Sequence, residues 1–173
     1  MEFKRITRTD DPLYARAIAL YHDSFPLHEQ REALSQSRIL ENDAYHFNVI
    51  CDNGAFVGEI LYWAIGDFFY IEHFCIDLAV RNKGYGQKTL SALQNTPLVL
   101  EIDPPIDEIS IRRKRFYERS GFVENPYPHV QLPYHRGGAE HRLVIMSRPR
   151  TLSRNEYEGI NEYLHNTVMK DVY

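Results

Sequence analysis

Tyr70-Ile71-Glu72-His73-Phe74-Cys75-Ile76, followed after four residues by Arg81-Asn82-Lys83-Gly84-Tyr85-Gly86, is the stretch whose reading decides the fold. The first part is an apolar run of strand type, and Leu90 and Leu93 continue a helical face from Gly86. Between them, glycines at 84 and 86 permit backbone conformations and close approaches that a Cβ would block. Successive N–H groups can then converge on one anion, backed by the unsatisfied amides and positive dipole end of the helix. This reads as a phosphate cradle. It lacks the Gly-Lys-Ser/Thr ending of a nucleotide P-loop and the three glycines of a dinucleotide fingerprint.

Arginine, two residues, glycine, one residue, glycine between strand and helix resembles the pyrophosphate loop of the GNAT superfamily of acyl-CoA-dependent N-acetyltransferases. A second segment, Phe116-Tyr117-Glu118-Arg119-Ser120-Gly121-Phe122, resembles that superfamily's tyrosine at a helix end before a Gly-Phe turn. The resemblance covers about residues 3 to 148 and is to a bacterial-type member. It implies an α+β fold of the acyl-CoA N-acyltransferase type: a central, mostly antiparallel sheet with two splayed parallel strands, flanked by helices. It also implies acetyl-CoA as acyl donor, a primary amine as acceptor attacking the thioester directly, and no metal.

Carried over position by position, the resemblance gives the cofactor Phe74, Cys75 and Ile76 on the first splayed strand and Arg81, Asn82, Lys83, Gly84, Tyr85 and Gly86 in the bend. Arg112 and Phe116 on the later helix complete that set, and a backbone N–H near Cys75 would polarise the thioester carbonyl. Tyr117 stands at the position of the acid that protonates the leaving thiolate; an ordinary phenol, with a pKa of about 10, is protonated at neutral pH. Glu72 and Glu101 are equal candidates for the base, each needing an elevated pKa or a water relay. Strict alternation puts Glu72 on one face with Phe74 and Ile76 and turns His73 to the other, where it reads as structural. Two positions depart from the family pattern: Asn82 stands where many members have glycine, and Ser110 where many have a pantetheine-holding asparagine.

Composition bounds the alternatives. A chain of 173 residues with 43% hydrophobic and 25% charged content is a single-domain globular chain, and its net charge of -4 argues against a nucleic-acid surface. Cys51 and Cys75 both lie in apolar runs, so they read as buried free thiols of a reducing compartment, hence a cytoplasmic protein. No apolar run reaches membrane-spanning length, and no close His/Cys cluster suggests a metal.

Asp11-Pro12 predicts a helix start, with Leu13, Ala17, Leu20 and Tyr21 on its inner face and a stop near Phe25-Pro26. A more polar helix is expected from Glu29 to Leu40. Phe25, His28, Glu29 and Glu32 become acceptor-pocket candidates by resemblance alone, with solvated helix face the favoured reading of the charges. His46 to Cys51, Ala55 to Ile65 and Phe68 to Ile76 form an antiparallel meander, with Asp52-Asn53-Gly54 as its first turn. Leu98 to Ile102 should lie parallel to the strand before the crossover helix.

Asp107 caps a helix to Ser120, Gly121-Phe122 opens a strand, and Leu143 to Met146 is the last one. The run Arg112-Arg113-Lys114-Arg115 spans all faces of its helix and cannot be one patch. Between Asn125 and Gly138, prolines and glycines mark a long loop carrying Tyr127, His129, Tyr134 and His135, a length often functional. Residues 1–150 make the acyltransferase domain. Residues 151–173 add a helix with a Ser153/Glu156 capping box and a stripe of Tyr157, Ile160, Leu164 and Val168, to be buried on the domain or on a second subunit of a homodimer. Against the enzyme stands a non-catalytic acyl-CoA-binding module, a sensor or assembly subunit, which would keep the same phosphate loop.

Overall fold

The computed structural model describes residues 1–173. In chain order the elements are β1 (Glu2–Ile6), α1 (Tyr14–Ser24), α2 (Ala33–Ile39), β2 (Tyr45–Asp52), β3 (Ala55–Ile65), β4 (Phe68–Ile76) and α3 (Tyr85–Ala92). They continue with β5 (Leu98–Ile102), α4 (Glu108–Arg119), β6 (Val123–Glu124), β7 (His129–Gln131), β8 (His141–Arg148) and α5 (Arg154–Tyr163). One sheet runs in the order β1-β2-β3-β4-β5-β8-β6, with β7 also on β8. Its only parallel pair is β4 with β5, as the crossover through α3 requires.

Each face of the sheet carries its own core. On one, Tyr21 of α1 packs with Phe47, Leu61, Trp63 and Tyr70, and Ile160, Leu164, Val168 and Val172 close over them from the C-terminal tail. On the other, Leu90 of α3 packs with Ile50, Ile60, Leu100, Ile102 and Met146, and Phe116 and Tyr117 of α4 rest against them. The stripe on α5 is thus buried inside its own chain. No helix is long and apolar enough to cross a membrane.

Three elements differ from the sequence expectation. Glu29 to Leu40 is not one helix: a short turn at Leu27–Glu29 gives way to extended backbone before α2. Tertiary contacts there outweigh helix propensity, because Arg31 donates its backbone N–H to the Tyr21 hydroxyl at 2.9 Å and turns its side chain into the core. Helix α1 starts two residues later than expected, at Tyr14 in place of Pro12, with the Asp11 carboxylate accepting the Leu13 N–H at 2.8 Å ahead of it. The loop after Gly121 contains β7, which pairs His129 with Leu143 and Gln131 with His141.

Candidate active site

Pairing between β4 and β5 lasts only three residues, Phe69 to Ile71 against Leu98 to Leu100, and then the strands part. Beyond that point one edge of the β4 main chain has no neighbouring strand, which leaves alternate N–H and C=O groups open for a ligand. A cleft of about 710 Å³ fills the gap. Phe74, Cys75 and Ile76 line it from β4, Leu100 and Glu101 from β5, and Phe116 and Tyr117 from α4. Of the expected cofactor contacts, Arg81, Asn82, Gly84, Tyr85 and Gly86 also line it, whereas Lys83 and Arg112 do not. Arg113, one residue on, turns into the cleft instead and pairs with Asp103 at 2.7 Å.

The bend before α3 has the conformation that an anion site needs. Asn82 has φ 63 and Gly84 φ 79, so left-handed residues flank Lys83. Asparagine is among the few side-chain-bearing residues that tolerate this region, so the departure from glycine at 82 preserves the local backbone. The N–H groups from Asn82 to Gln87 have no backbone partner, and the first to pair is Lys88, with the Gly84 carbonyl at 3.1 Å. A Cβ on Gly86 would stand 3.1 Å from the Phe116 ring, so glycine there lets α3 and α4 close the cleft together. These free donors at a helix N-terminus fit a diphosphate.

On α4, the expected acid Tyr117 lines the cleft and burial pushes its pKa up to about 12, partly offset by Arg113. Its hydroxyl is therefore protonated at any physiological pH. Ser110 has a different occupation from the family's asparagine. Its N–H donates to the Asp107 carboxylate at 2.8 Å and its Oγ accepts from the Asp107 N–H at 3.1 Å, a capping box for α4. The serine is buried and does not line the cleft.

The two glutamates occupy opposite situations. A bulge sets Leu61 against His73 but Tyr62 against Ile71, so Glu72 has no partner in register. The expected alternation fails at this point. The Glu72 carboxylate turns toward the core of Trp63 and Tyr134, while Phe74 and Ile76 pack against the other core. Its side chain is 0% exposed, so it is the main chain of Glu72 that borders the cleft. Arg31 lies 2.9 Å from the carboxylate, Trp63 Nε1 donates at 2.7 Å and the Tyr134 hydroxyl at 2.9 Å. Burial alone would raise the Glu72 pKa, but Arg31, with His73 and these donors, holds it below the usual carboxylate range. Beside it, His73 is buried with its pKa lowered chiefly by that burial, and its Nε2–H donates to the Glu29 carbonyl at 2.8 Å.

Glu101 borders the cleft from β5 with a side chain 6% exposed. It accepts hydrogen bonds from the Tyr70 hydroxyl and, at 3.0 Å, from Gln131 Nε2, and His129 Nε2 faces its other oxygen. A side recess opens off the cleft between Glu29, Asp103, Arg113 and the stacked rings of His28 and His141, 5.1 Å apart. Burial, reinforced by the nearby Asp103 charge, raises the Glu29 pKa.

The residues that sequence reasoning missed are Arg31, Arg113 and the place of His129. His129 carried a signal in its long proline- and glycine-marked loop and Arg113 in the basic run 112–115, whereas Arg31 carried none.

A family model for the acetyltransferase (GNAT) domain matches residues 43–124. Among solved structures, a GNAT-family protein from Bacteroides thetaiotaomicron is 34% identical over 98% of this chain and 98% of its own, with a TM-score of 0.91. The spermidine N-acetyltransferase of Vibrio cholerae (17% identity, 85% of this chain and 94% of that one, TM-score 0.59) shares the fold. So does the ribosomal-protein-S18-alanine N-acetyltransferase of Escherichia coli (16%, 88% and 95%, TM-score 0.57). No curated protein sequence matches the chain. A nest of amides at the head of α3, opening into a gap between parallel strands that Tyr117 lines, fits an acyltransferase whose donor is a coenzyme A thioester. The chain belongs to the GNAT family of acetyltransferases. It is accordingly an acetyltransferase, not a binding module, and its family uses acetyl-CoA.

Proposed function

We propose that the protein transfers an acetyl group from acetyl-CoA to a primary amine by direct attack of the amine on the thioester. The observation that carries this reading is the unpaired edge of β4 on a cleft that Tyr117 and Glu101 also line. Bound acetyl-CoA supplies an activated acyl carbon and a thiolate leaving group.

The chain supplies the rest. Amides from Asn82 to Gln87 hold the diphosphate, and Arg81, anchored by its Nε–H to the Ile76 carbonyl at 2.8 Å, adds positive charge at the same end. The free β4 main chain from Glu72 to Ile76 lines the pantetheine arm, and an N–H near Cys75 donates to the acyl oxygen as negative charge grows there. Tyr117 gives its proton to the departing sulfur.

Glu101, not Glu72, takes the proton from the amine. It lines the cleft with a side chain that keeps 6% exposure, whereas the fully buried carboxylate of Glu72 is sealed against Arg31. The acceptor approaches through the recess beside Glu29 and Asp103, whose carboxylates favour a positively charged amine. Residues 151–173 act as part of the same domain, since their apolar stripe is consumed in its core, and we assign no dimer to it. Two buried, unpaired cysteines suit a reducing cytoplasm.

The test is release of free thiol from acetyl-CoA across a panel of spermidine, tyramine, amino acids and an alanine-terminated peptide. Tyr117→Phe and Glu101→Gln are each expected to lose 100-fold or more in kcat, a loss of about the size general acid–base groups supply. Activity untouched by both changes, or turnover of no amine at all, would sink this assignment.

A further inference from the structure

Behind Glu101 lies a chain of polar side chains that the acetyl transfer outlined above does not use. His129, on β7, is 1% exposed and points Nε2 at Glu101 Oε1. Its other ring nitrogen, Nδ1, lies 3.2 Å from the hydroxyl of Tyr157 on α5. That hydroxyl donates its own proton to the Pro128 carbonyl at 2.8 Å. With the phenol proton committed, Nδ1 must carry a hydrogen and donate it to the Tyr157 oxygen. Nε2 then cannot face a bare carboxylate as a bare lone pair. One proton has to lie between Nε2 and Oε1, on either side of the contact.

From this geometry we infer that Glu101 and His129 accept the amine's proton as a couple, and that Tyr157 acts as a positioning residue by fixing the imidazole tautomer. The inference rests on Glu101 being the base. In the step, an N–H bond of the bound ammonium breaks and an O–H bond forms on Glu101 Oε2, the oxygen away from His129; that oxygen then accepts from only one of Tyr70 and Gln131. The proton shared with Oε1 passes wholly to Nε2. The imidazolium so formed keeps two N–H groups, one donating to Glu101 and one to Tyr157, so the couple gains one proton and one positive charge. It returns that proton to water once the product has left the cleft.

The surroundings suit such a gain of charge. Tyr70 and Gln131 hold the second carboxylate oxygen in place. The other titratable groups around the couple are His165, which lines the same small cavity behind Glu101, and His28, Glu29, Glu72, His73, Asp103, Tyr134, His141 and Arg113 on the recess side. Tyr157 is itself clamped: its ring stacks on Tyr127 at 4.4 Å, and the Ser153–Glu156 capping box fixes the start of its helix. Both β7 and α5 follow the residues matched by the family domain, so a part of the chain outside that match completes the base.

The experiment measures kcat and kcat/KM against pH, using the best amine of the panel, for the full-length wild type, His129→Gln, Tyr157→Phe and Glu101→Gln, with CoA affinity and thermal midpoint recorded for each. Glutamine keeps a donor toward Glu101 but cannot hold the proton. The couple is supported if His129→Gln loses 30-fold or more in kcat, binds CoA as the wild type does and lacks one titration step in its pH profile, with Tyr157→Phe losing a smaller 3- to 10-fold. It is overturned if His129→Gln keeps the wild-type kcat and pH profile while Glu101→Gln is inactive, a result that leaves Glu101 as base standing alone. Full activity in Glu101→Gln would overturn both readings. Should His129→Gln fail to fold, a wild-type kcat and pH profile in Tyr157→Phe overturns the couple, and the 3- to 10-fold loss supports it.

Discussion

The Arg31 guanidinium lies 2.9 Å from the Glu72 carboxylate with neither side chain more than 1% exposed, and the pair ties three separate parts of the chain together. Arg31 comes from the segment before α2, Glu72 from the bulge in β4, and a second guanidinium N–H donates to the Val168 carbonyl of the tail. The bulge in β4, next to the point where its pairing with β5 ends, is thereby pinned from behind. Removing one partner strands the other charge in the core, so Glu72→Ala is expected to cost about 3–5 kcal/mol in denaturant unfolding. The double replacement Arg31→Met with Glu72→Leu should cost less than Glu72→Ala alone. If it costs more, the pair is a net source of stability beyond mutual neutralisation.

The same pair carries a pH dependence. Glu72 has a folded pKa held below the ordinary carboxylate value, so the folded state binds fewer protons than the unfolded one as acid is added. Its contribution is present above an unfolded value of about 4.3 and is lost as pH falls through the lower folded value. Acid unfolding of the wild type below pH ~4 should therefore be steeper than that of the double replacement.

Glu59 works in the opposite direction. It is 0% exposed on β3, one carboxyl oxygen has no partner, and the other accepts from the Cys75 thiol at 3.6 Å. Burial pushes its pKa up to about 8, against a smaller lowering by that thiol. Between an unfolded value of about 4.3 and the raised folded value, the folded state holds a proton that the unfolded state has released, so stability falls as pH rises. Glu59→Gln should remove this slope, gaining roughly 1 kcal/mol per pH unit on the wild type from pH 5 to 8. Parallel stability curves for the two proteins would contradict a neutral buried carboxyl.

Tyr117 makes a kinetic expectation. With its pKa pushed up to about 12, the wild type should show no alkaline loss of kcat from this group below pH 10. Tyr117→Phe should bind CoA with unchanged affinity and lose about 100-fold or more in kcat with a poor leaving thiolate. An unchanged kcat, measured by thiol release, would remove Tyr117 from the chemistry.

Much of this was legible in the chain itself, for reasons that can be named. The strands Ala55–Ile65, Phe68–Ile76 and Leu98–Ile102 fall where alternation and turn residues put them, and the parallel pairing of β4 with β5 followed from the crossover helix. The bend at 81–86 was readable because glycine spacing is a backbone requirement. What escaped was tertiary. A bulge adds one residue without any local mark, so period-two alternation set Glu72 on the cleft face when its carboxylate lies with Trp63. Arg31 reads as a solvated helix residue until Glu72, 41 positions away, is placed beside it. His129 sits in a stretch whose prolines suggested loop, and its pairing through β7 depends on β8.

The seating of a diphosphate on the bend before α3 is tested most directly by equilibrium dialysis of radiolabelled CoA against the wild type and Gly84→Val. Gly84 has φ 79, which a β-branched side chain cannot adopt without strain, and no atom lies within 4 Å of the added Cβ, so the change acts on the backbone nest alone. Saturable binding to the wild type, weakened 10-fold or more in Gly84→Val at an unchanged far-UV spectrum, is the expected result. Equal retention by both proteins, or none by the wild type, would contradict it.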